Sequence, residues 1–175
     1  MIETERLLLR PFTDADREPF ALINGDPRVS DWLGGPIDGA ASDAGIARIN
    51  GHIALNGFGF WAAELKAERR LVGMIGLKRM DSELPPAPAI EAGWRLAPSA
   101  WGQGLAAEGA RAALDWGFRA LGVEEIVAIT AETNIRSQAV MRRIGMAPDP
   151  ARDFDHPLLA AEHPLRRHVV FAARA

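Results

Sequence analysis

Neither cysteine nor tyrosine occurs in this chain. Without cysteine there is no disulfide, no thiolate nucleophile and no cysteine-ligated metal. Without tyrosine there is no phenol to serve as an acid or hydrogen-bond donor. Long apolar runs are missing as well. The longest uncharged stretch, residues 50–63, contains Asn, Gly and His and is too short to span a bilayer. The opening MIETERLLLR lacks the apolar core of a secretory signal. A cytoplasmic location and no membrane partner are therefore expected. The net charge is -3 at pH 7 and no basic stripe appears, so nucleic acid is not an expected ligand. His52, His156, His163 and His168 show no metal-ligand spacing, and no metal is expected.

What is present suits one α/β domain. A chain of 175 residues, 48% hydrophobic, can bury enough apolar surface to fold without staples. Residues 5–12 (ERLLLRPF) form an expected first strand, stopped by Pro11. Thr13 and Asp16 have the spacing of a capping box for a short helix reaching about Asn24. Residues 33–39 are a Gly/Pro loop, and Ile46, Ile49 and Ile53 give residues 41–55 a helical period. The period then shortens. Residues 58–66, 71–80 and 89–96 are expected strands, the first two a hairpin and the last two joined by a Pro-rich connection over 81–88. Helices are expected over 104–121 and 135–144, with strands over 125–130 and 168–173. The apolar EIVAIT over 125–130 has the character of a central strand.

Between the third of these strands and the next helix lies SAWGQGLAAEG, residues 99–109, with Gly102, Gly104 and Gly109. The N–H groups at a helix start have no intrahelical acceptor, and the helix dipole makes that end positive. Small residues let an anion approach them, and Gly102, Gly104 and Ala106 are small. A tight strand-to-helix turn explains the same glycines without a ligand. The stretch lacks the Gly-Lys-Ser/Thr of a nucleoside-triphosphate loop. It also lacks the Gly-x-Gly-x-x-Gly of a dinucleotide fold.

About thirty residues later comes ETNIRSQAVMRRIGM, which places Asn134 and Ser137 at a helix start. Taken together, the two stretches resemble the GNAT superfamily of acyl-CoA-dependent N-acetyltransferases. The loop is similar to its Q/R-x-x-G-x-G/A signature, with Trp101 in the first position and Ala106 in the last. The later stretch is similar to its N-x-x-S-x-x-(apolar)-x-x-x-G-(apolar) helix. The opening ETERLLLRPFTDAD resembles the RimJ/RimL-type branch, and the resemblance spans nearly the whole chain.

That resemblance implies a mixed, mostly antiparallel sheet of six to seven strands with helices on both faces and a splayed parallel pair at its centre. The pair would be residues 89–96 and 125–131. It implies acetyl-CoA as co-substrate and a primary amine, of a protein N-terminus or a small molecule, as acceptor. Backbone groups of Trp94, Arg95 and Leu96 would bond the pantetheine amides. Trp101, Gly102, Gln103, Gly104, Leu105, Ala106 and Ala107 would form the pyrophosphate loop. Asn134 would bond the cofactor arm and Ser137 would lie near the sulfur. Many relatives pair as dimers, so a homodimer is an open expectation.

For the chemistry, Glu91 is the candidate base, because it lies on the splayed strand. Strand alternation places Glu91 and Arg95 on one face, and Ile90, Ala92, Trp94 and Leu96 on the other. Glu91 could equally be a plain cross-strand partner of Lys78 or Arg79. Many GNAT enzymes use a tyrosine as general acid, and here Ser137 is the substitute candidate. A cap explains Asn134 equally well. Met141, Trp32 and Trp61 are candidates for core or pocket wall. Residues 153–157 (DFDHP) could border the acceptor site or form a surface turn, and Arg166, Arg167 and His168 are expected to be a solvated strand start. A CoA-binding protein without turnover and another phosphate binder are the competing classes.

Overall fold

A computed structural model describes residues 1–80 and 84–175. The start of the Pro-rich connection expected over 81–88 lies outside the described residues. The strands are β1 (Ile2–Glu3), β2 (Leu7–Arg10), β3 (Phe60–Leu65), β4 (Arg70–Met80), β5 (Ala89–Leu96), β6 (Glu125–Ala131), β7 (Ala147–Pro148), β8 (Phe154–Asp155) and β9 (Arg167–Arg174). The helices are α1 (Arg17–Gly25), α2 (Pro27–Ser30), α3 (Gly39–Asn56), α4 (Leu105–Leu121) and α5 (Ile135–Arg143). The sheet runs β1-β2-β3-β4-β5-β6-β9-β7, with β8 also on β9. Every neighbouring pair is antiparallel except β5 with β6.

The described sheet has nine strands where six to seven were expected. The excess is β1, β7 and β8, each two residues long and too short to show an alternation. The first strand is also shorter than residues 5–12, because the chain turns at Thr4, whose amide donates to Leu7 O at 2.9 Å. The capping spacing is realised: the Asp16 carboxylate accepts from the Thr13 amide at 2.8 Å and its hydroxyl at 2.9 Å. Asp26 then breaks the helix, and Pro27 opens α2, a turn not expected from the sequence.

Two apolar layers flank the sheet. On one face, Leu105, Ala110, Ala113 and Leu114 of α4 and Met141 of α5 pack on Ile75, Leu77, Ile90, Ala92, Ile126, Ala128 and Phe171. On the other, Phe20 and Ile23 of α1, Val29 of α2 and Ile46 of α3 cover Ala62, Leu71 and Met74. Beside this second layer, Phe154 of β8 packs with Val127, Val170 and Ala172. Trp61 lies in the first layer, edge-on to Trp116 at 5.4 Å, so it is core. No helix among the described residues is long and apolar enough to cross a membrane.

Candidate active site

The site begins where two parallel strands part. β5 and β6 share a single pairing, Glu91 with Val127, although β5 pairs with β4 along its whole length. Beyond Ala92 the two strands diverge and a cleft of about 810 Å³ opens between them. The hydrogen bonds show which groups face it. The Ala97 amide donates to Val72 O on β4 at 2.9 Å. Backbone groups alternate along a strand, so the Trp94 and Leu96 amides point away from β4 and into the cleft. The Arg95 backbone points to β4; its carbonyl lies so close to Gly73 that a Cβ there would meet it at 2.0 Å. The backbone contact expected of Arg95 is therefore not available. Its side chain lines the cleft instead. The Leu96 carbonyl is also taken, by the Trp101 indole N–H at 2.8 Å.

At the open end of the cleft the chain enters the glycine stretch. Gly102 (φ 74°) and Gly104 (φ 78°) adopt the left-handed conformation, which costs a side-chain-bearing residue roughly 1–2 kcal/mol. Gly104 is the N-cap of α4 and supplies no capping side chain. The first-turn amides of Leu105, Ala106 and Ala107 thus have no intrahelical acceptor, and all three residues line the cleft. A Cβ at Gly102 would meet nothing within 4 Å. Backbone geometry, not crowding, is what requires glycine there. The outer side of the loop is held down. Arg6 donates to Gln103 O at 2.9 Å, Gln103 Nε2 donates to Ser99 O at 2.7 Å, and Arg6 is paired with Glu108 at 2.6 Å.

The facing wall is the start of α5. Asn134 Oδ1 accepts from the Ser137 amide at 3.1 Å, so the capping role is real. Both residues also line the cleft, so the cap and a ligand contact are compatible. Arg136, between them, lies over the Trp101 ring at 4.8 Å and was not singled out in the sequence. Met141 is 1% exposed and belongs to the core, with an edge on the cleft.

The other face of β5 carries the titratable groups. Glu91 lines the cleft where the strands part, and Lys78 Nζ stands 3.6 Å from its Oε2. Burial pushes the Glu91 carboxyl above its ordinary value, and Lys78 opposes this. Glu91 thus has the cross-strand partner expected of it and also lines the cleft. Arg95 donates from Nη1 to Asn24 Oδ1 at 2.6 Å, and burial pushes its guanidinium down to about 10. Val29, Trp32 and Leu33 form the wall beyond it, and Trp32 is 38% exposed.

His168 corrects one expectation: it is not a solvated strand start. It pairs with Ala131 across β6 and β9, stacks on Phe154 at 5.4 Å and lines the cleft. Its Nδ1 lies 3.2 Å from Arg166 O, a pure acceptor, so in the neutral ring this contact places the hydrogen on Nδ1 and the lone pair on Nε2. Burial lowers its pKa, Arg166 O opposes that, and nearby His156 adds to the lowering. None of the described DFDHP residues is among those lining the cleft; Phe154 and His156 reach it through their ring contacts with His168. Asp153 is a structural acceptor for the Val170 amide at 2.9 Å.

The residues present fit an acyl-CoA. Free strand amides, a positive-φ glycine loop and an uncapped helix start converge on one cleft. The chain matches the family described as "Acetyltransferase (GNAT) domain" over residues 6–147. It is 32% identical over 152 residues to FsC-acetyl coenzyme A-N(2)-transacetylase of Aspergillus fumigatus, covering 83% of this chain. The chain spans 64% of that relative's length. The structure of a GNAT-family acetyltransferase from Bacillus anthracis superposes with TM-score 0.82 at 24% identity, over 99% of this chain and 97% of that one. A spermidine N-acetyltransferase from Vibrio cholerae, in complex with CoA and spermine, shares the fold with TM-score 0.73 at 19% identity, over 97% and 95% of the two chains. On the match over most of its length, and on a parted strand pair ending in a glycine-rich helix start, the chain belongs to the GNAT acetyltransferase family.

Proposed function

We propose that this protein transfers the acetyl group of acetyl-CoA to a primary amine of a protein N-terminus or a small molecule, as a single domain over residues 1–175. The observation that carries this reading is the single β5–β6 pairing, which leaves the Trp94 and Leu96 amides facing a cleft closed at one end by Glu91. The loop from Trp101 to Ala107 would take the pyrophosphate. The Trp94 and Leu96 backbone would take the pantetheine, with Asn134 on the opposite wall. The opening ETERLLLRPFTDAD and the tryptophan at position 101 support placement in the RimJ/RimL-like branch.

The chemistry follows from charge. An alkylammonium titrates near ~10 and an α-ammonium near ~8, so the acceptor must lose a proton before its nitrogen can attack. Glu91 is the proposed base, directly or through one water. His168, with a free Nε2 and a lowered pKa, is the second group on the cleft able to accept that proton. The amine nitrogen bonds to the thioester carbon, and the resulting oxyanion is met by a strand amide near Leu96. The C–S bond then breaks and the thiolate takes up a proton. A thiol of pKa roughly 8.5 is a competent leaving group without strong acid help. Ser137 is the proposed donor at that step.

A CoA-binding protein without turnover is the second reading. One feature of the site favours it: the Ser137 hydroxyl has no hydrogen-bond partner among the described residues to raise its acidity. Release of CoA thiol from acetyl-CoA on adding amines decides between them. Acceptor-dependent release establishes transfer, and binding without release from any amine contradicts it.

A further inference from the structure

Arg95 is a cation in the wrong place for structure alone. It is half-buried on the face of β5 that α1 and α2 cover, and it lines the cleft. Of its five N–H donors, the described residues engage only Nη1, through Asn24. The Nε is buried with no hydrogen-bond partner among the described residues. Among the described residues no carboxylate forms an ion pair with it, and its Cζ lies 5.9 Å from the centroid of the Phe20 ring. A buried guanidinium normally has a carboxylate, because desolvating the charge otherwise goes uncompensated. Asn24 does not supply one, and its own Nδ2 is committed to Ser42 at 2.9 Å.

The charge of the cleft lining gives the same sign. Arg95, Arg136 and Arg143 line it, and Glu91 is the one carboxylate among the described lining residues. Glu91 already has Lys78. Arg136 and Arg143 belong to α5, on the loop side where CoA phosphates would neutralise them. Arg95 lies on the opposite face of the sheet, beside Val29, Trp32 and Leu33, where nothing of CoA would reach it.

We propose that Arg95 is a specificity-determining residue for the acceptor, and that the acceptor bears a carboxylate as well as its amine. This rests on the acetyltransferase reading above. The guanidinium leaves Nη2 neither buried nor hydrogen-bonded among the described residues, and offers it to a carboxylate oxygen as a charge-assisted donor. Glu91 and Arg95 lie on one face of β5 four residues apart, about 13 Å along the strand. An amine at Glu91 and a carboxylate at Arg95 are thus separated by a spacer of peptide length. Acceptors of this class are short peptides with a free C-terminus, or N-termini closely followed by an acidic residue. Polyamines, which carry only positive charge, are excluded by the same argument.

The test uses the full chain with triglycine and triglycinamide, which share one amine and differ in the carboxylate. Kinetics of thiol release and calorimetric binding to the CoA-loaded protein are measured for each, with wild type, Arg95→Met and Arg95→Lys. The acetyl-CoA-induced rise in melting temperature, measured for every variant, shows that the fold and the CoA side are intact. Triglycine is expected to exceed triglycinamide about tenfold in kcat/KM or in affinity. Arg95→Met brings the ratio to about one, and Arg95→Lys keeps part of it. Equal use of both peptides by wild type, or a preference that survives in Arg95→Met, overturns the proposal. If neither peptide turns over, the binding ratio decides by the same criterion. A protein that does not respond to acetyl-CoA at all overturns the acetyltransferase reading itself, and this proposal with it.

Discussion

Glu91 has Lys78 beside it and, on the proposed reading, the acceptor amine in front of it, and its pH behaviour separates the two roles. Burial raises its pKa, so ionisation is lost at a higher pH than for a free carboxylate. If it is the base, wild-type activity falls as pH drops through that raised value. Glu91→Gln then lowers kcat/KM by about 100-fold where the amine is protonated, and the deficit shrinks at high pH as free amine becomes abundant. A variant whose rate runs parallel to wild type at every pH contradicts the role. Asp16 shows the opposite sign. Burial alone would raise its pKa, but Arg10 at 2.6 Å together with the Thr13 amide and hydroxyl holds it below the usual range. Its stabilisation is therefore complete above the unfolded value of about 3.9 and is lost as pH falls through the lower folded value. Asp16→Asn is expected to cost about 3 kcal/mol at pH 7. In urea titrations that difference narrows toward pH 3; a constant difference contradicts the pairing. Both residues were legible in sequence, one from strand alternation and one from capping-box spacing. His168 was not, because its place on the cleft comes from β9 pairing with β6 across more than thirty residues of chain, and no local pattern records that.

The elements were legible where they are long. The periods of α3, α4 and α5 and of β3 to β6 appear in the sequence within a few residues of their observed ends. The two-residue strands β1, β7 and β8 did not, since their pairing is set by their neighbours and not by their own residues. How closely the elements approach was also hidden, although the glycines bear on it. A Cβ on Gly117 of α4 would meet only side-chain ends, Leu77 Cδ1 at 2.5 Å and Ile126 Cδ1 at 2.8 Å. A Cβ on Gly76 of β4 would meet backbone, Gly59 O at 2.2 Å and the Phe60 Cα at 2.9 Å. Side chains can shift and a neighbouring strand cannot. Gly117→Ala is therefore expected to cost about 1 kcal/mol or less, overpacking being partly offset by better helix propensity. Gly76→Ala should cost about 3 kcal/mol or more, because the strand itself must move. Chemical denaturation of the two variants checks the order, and equal losses would mean that α4 is as unyielding as β3.

At the scale of the whole molecule, function follows from one departure from regular pairing. A sheet that is hydrogen-bonded along most of its width opens between β5 and β6, and the glycine loop stands at the mouth of that opening. The motifs in residues 99–109 and 132–146 made this cleft legible as a place for a phosphate-bearing ligand. They did not reveal the proposed acceptor side, where α2, β5 and β9 meet the cleft with no shared motif. Gly104→Val is expected to remove acetyl-CoA binding while leaving a folded protein, since the position has space but a φ that valine adopts poorly. Retained affinity in that variant would separate the loop from the phosphate. The most direct measurement of the central claim is thermal unfolding of the protein with acetyl-CoA, with ATP and NAD as controls. At roughly 100 times its dissociation constant a ligand adds about 2.7 kcal/mol, which for a domain of this size raises the midpoint by about 5–10 °C. A rise of that size with acetyl-CoA and none with ATP or NAD is the predicted result. A well-folded protein whose midpoint acetyl-CoA leaves unchanged would contradict it, and the cleft would then be only a gap in the sheet.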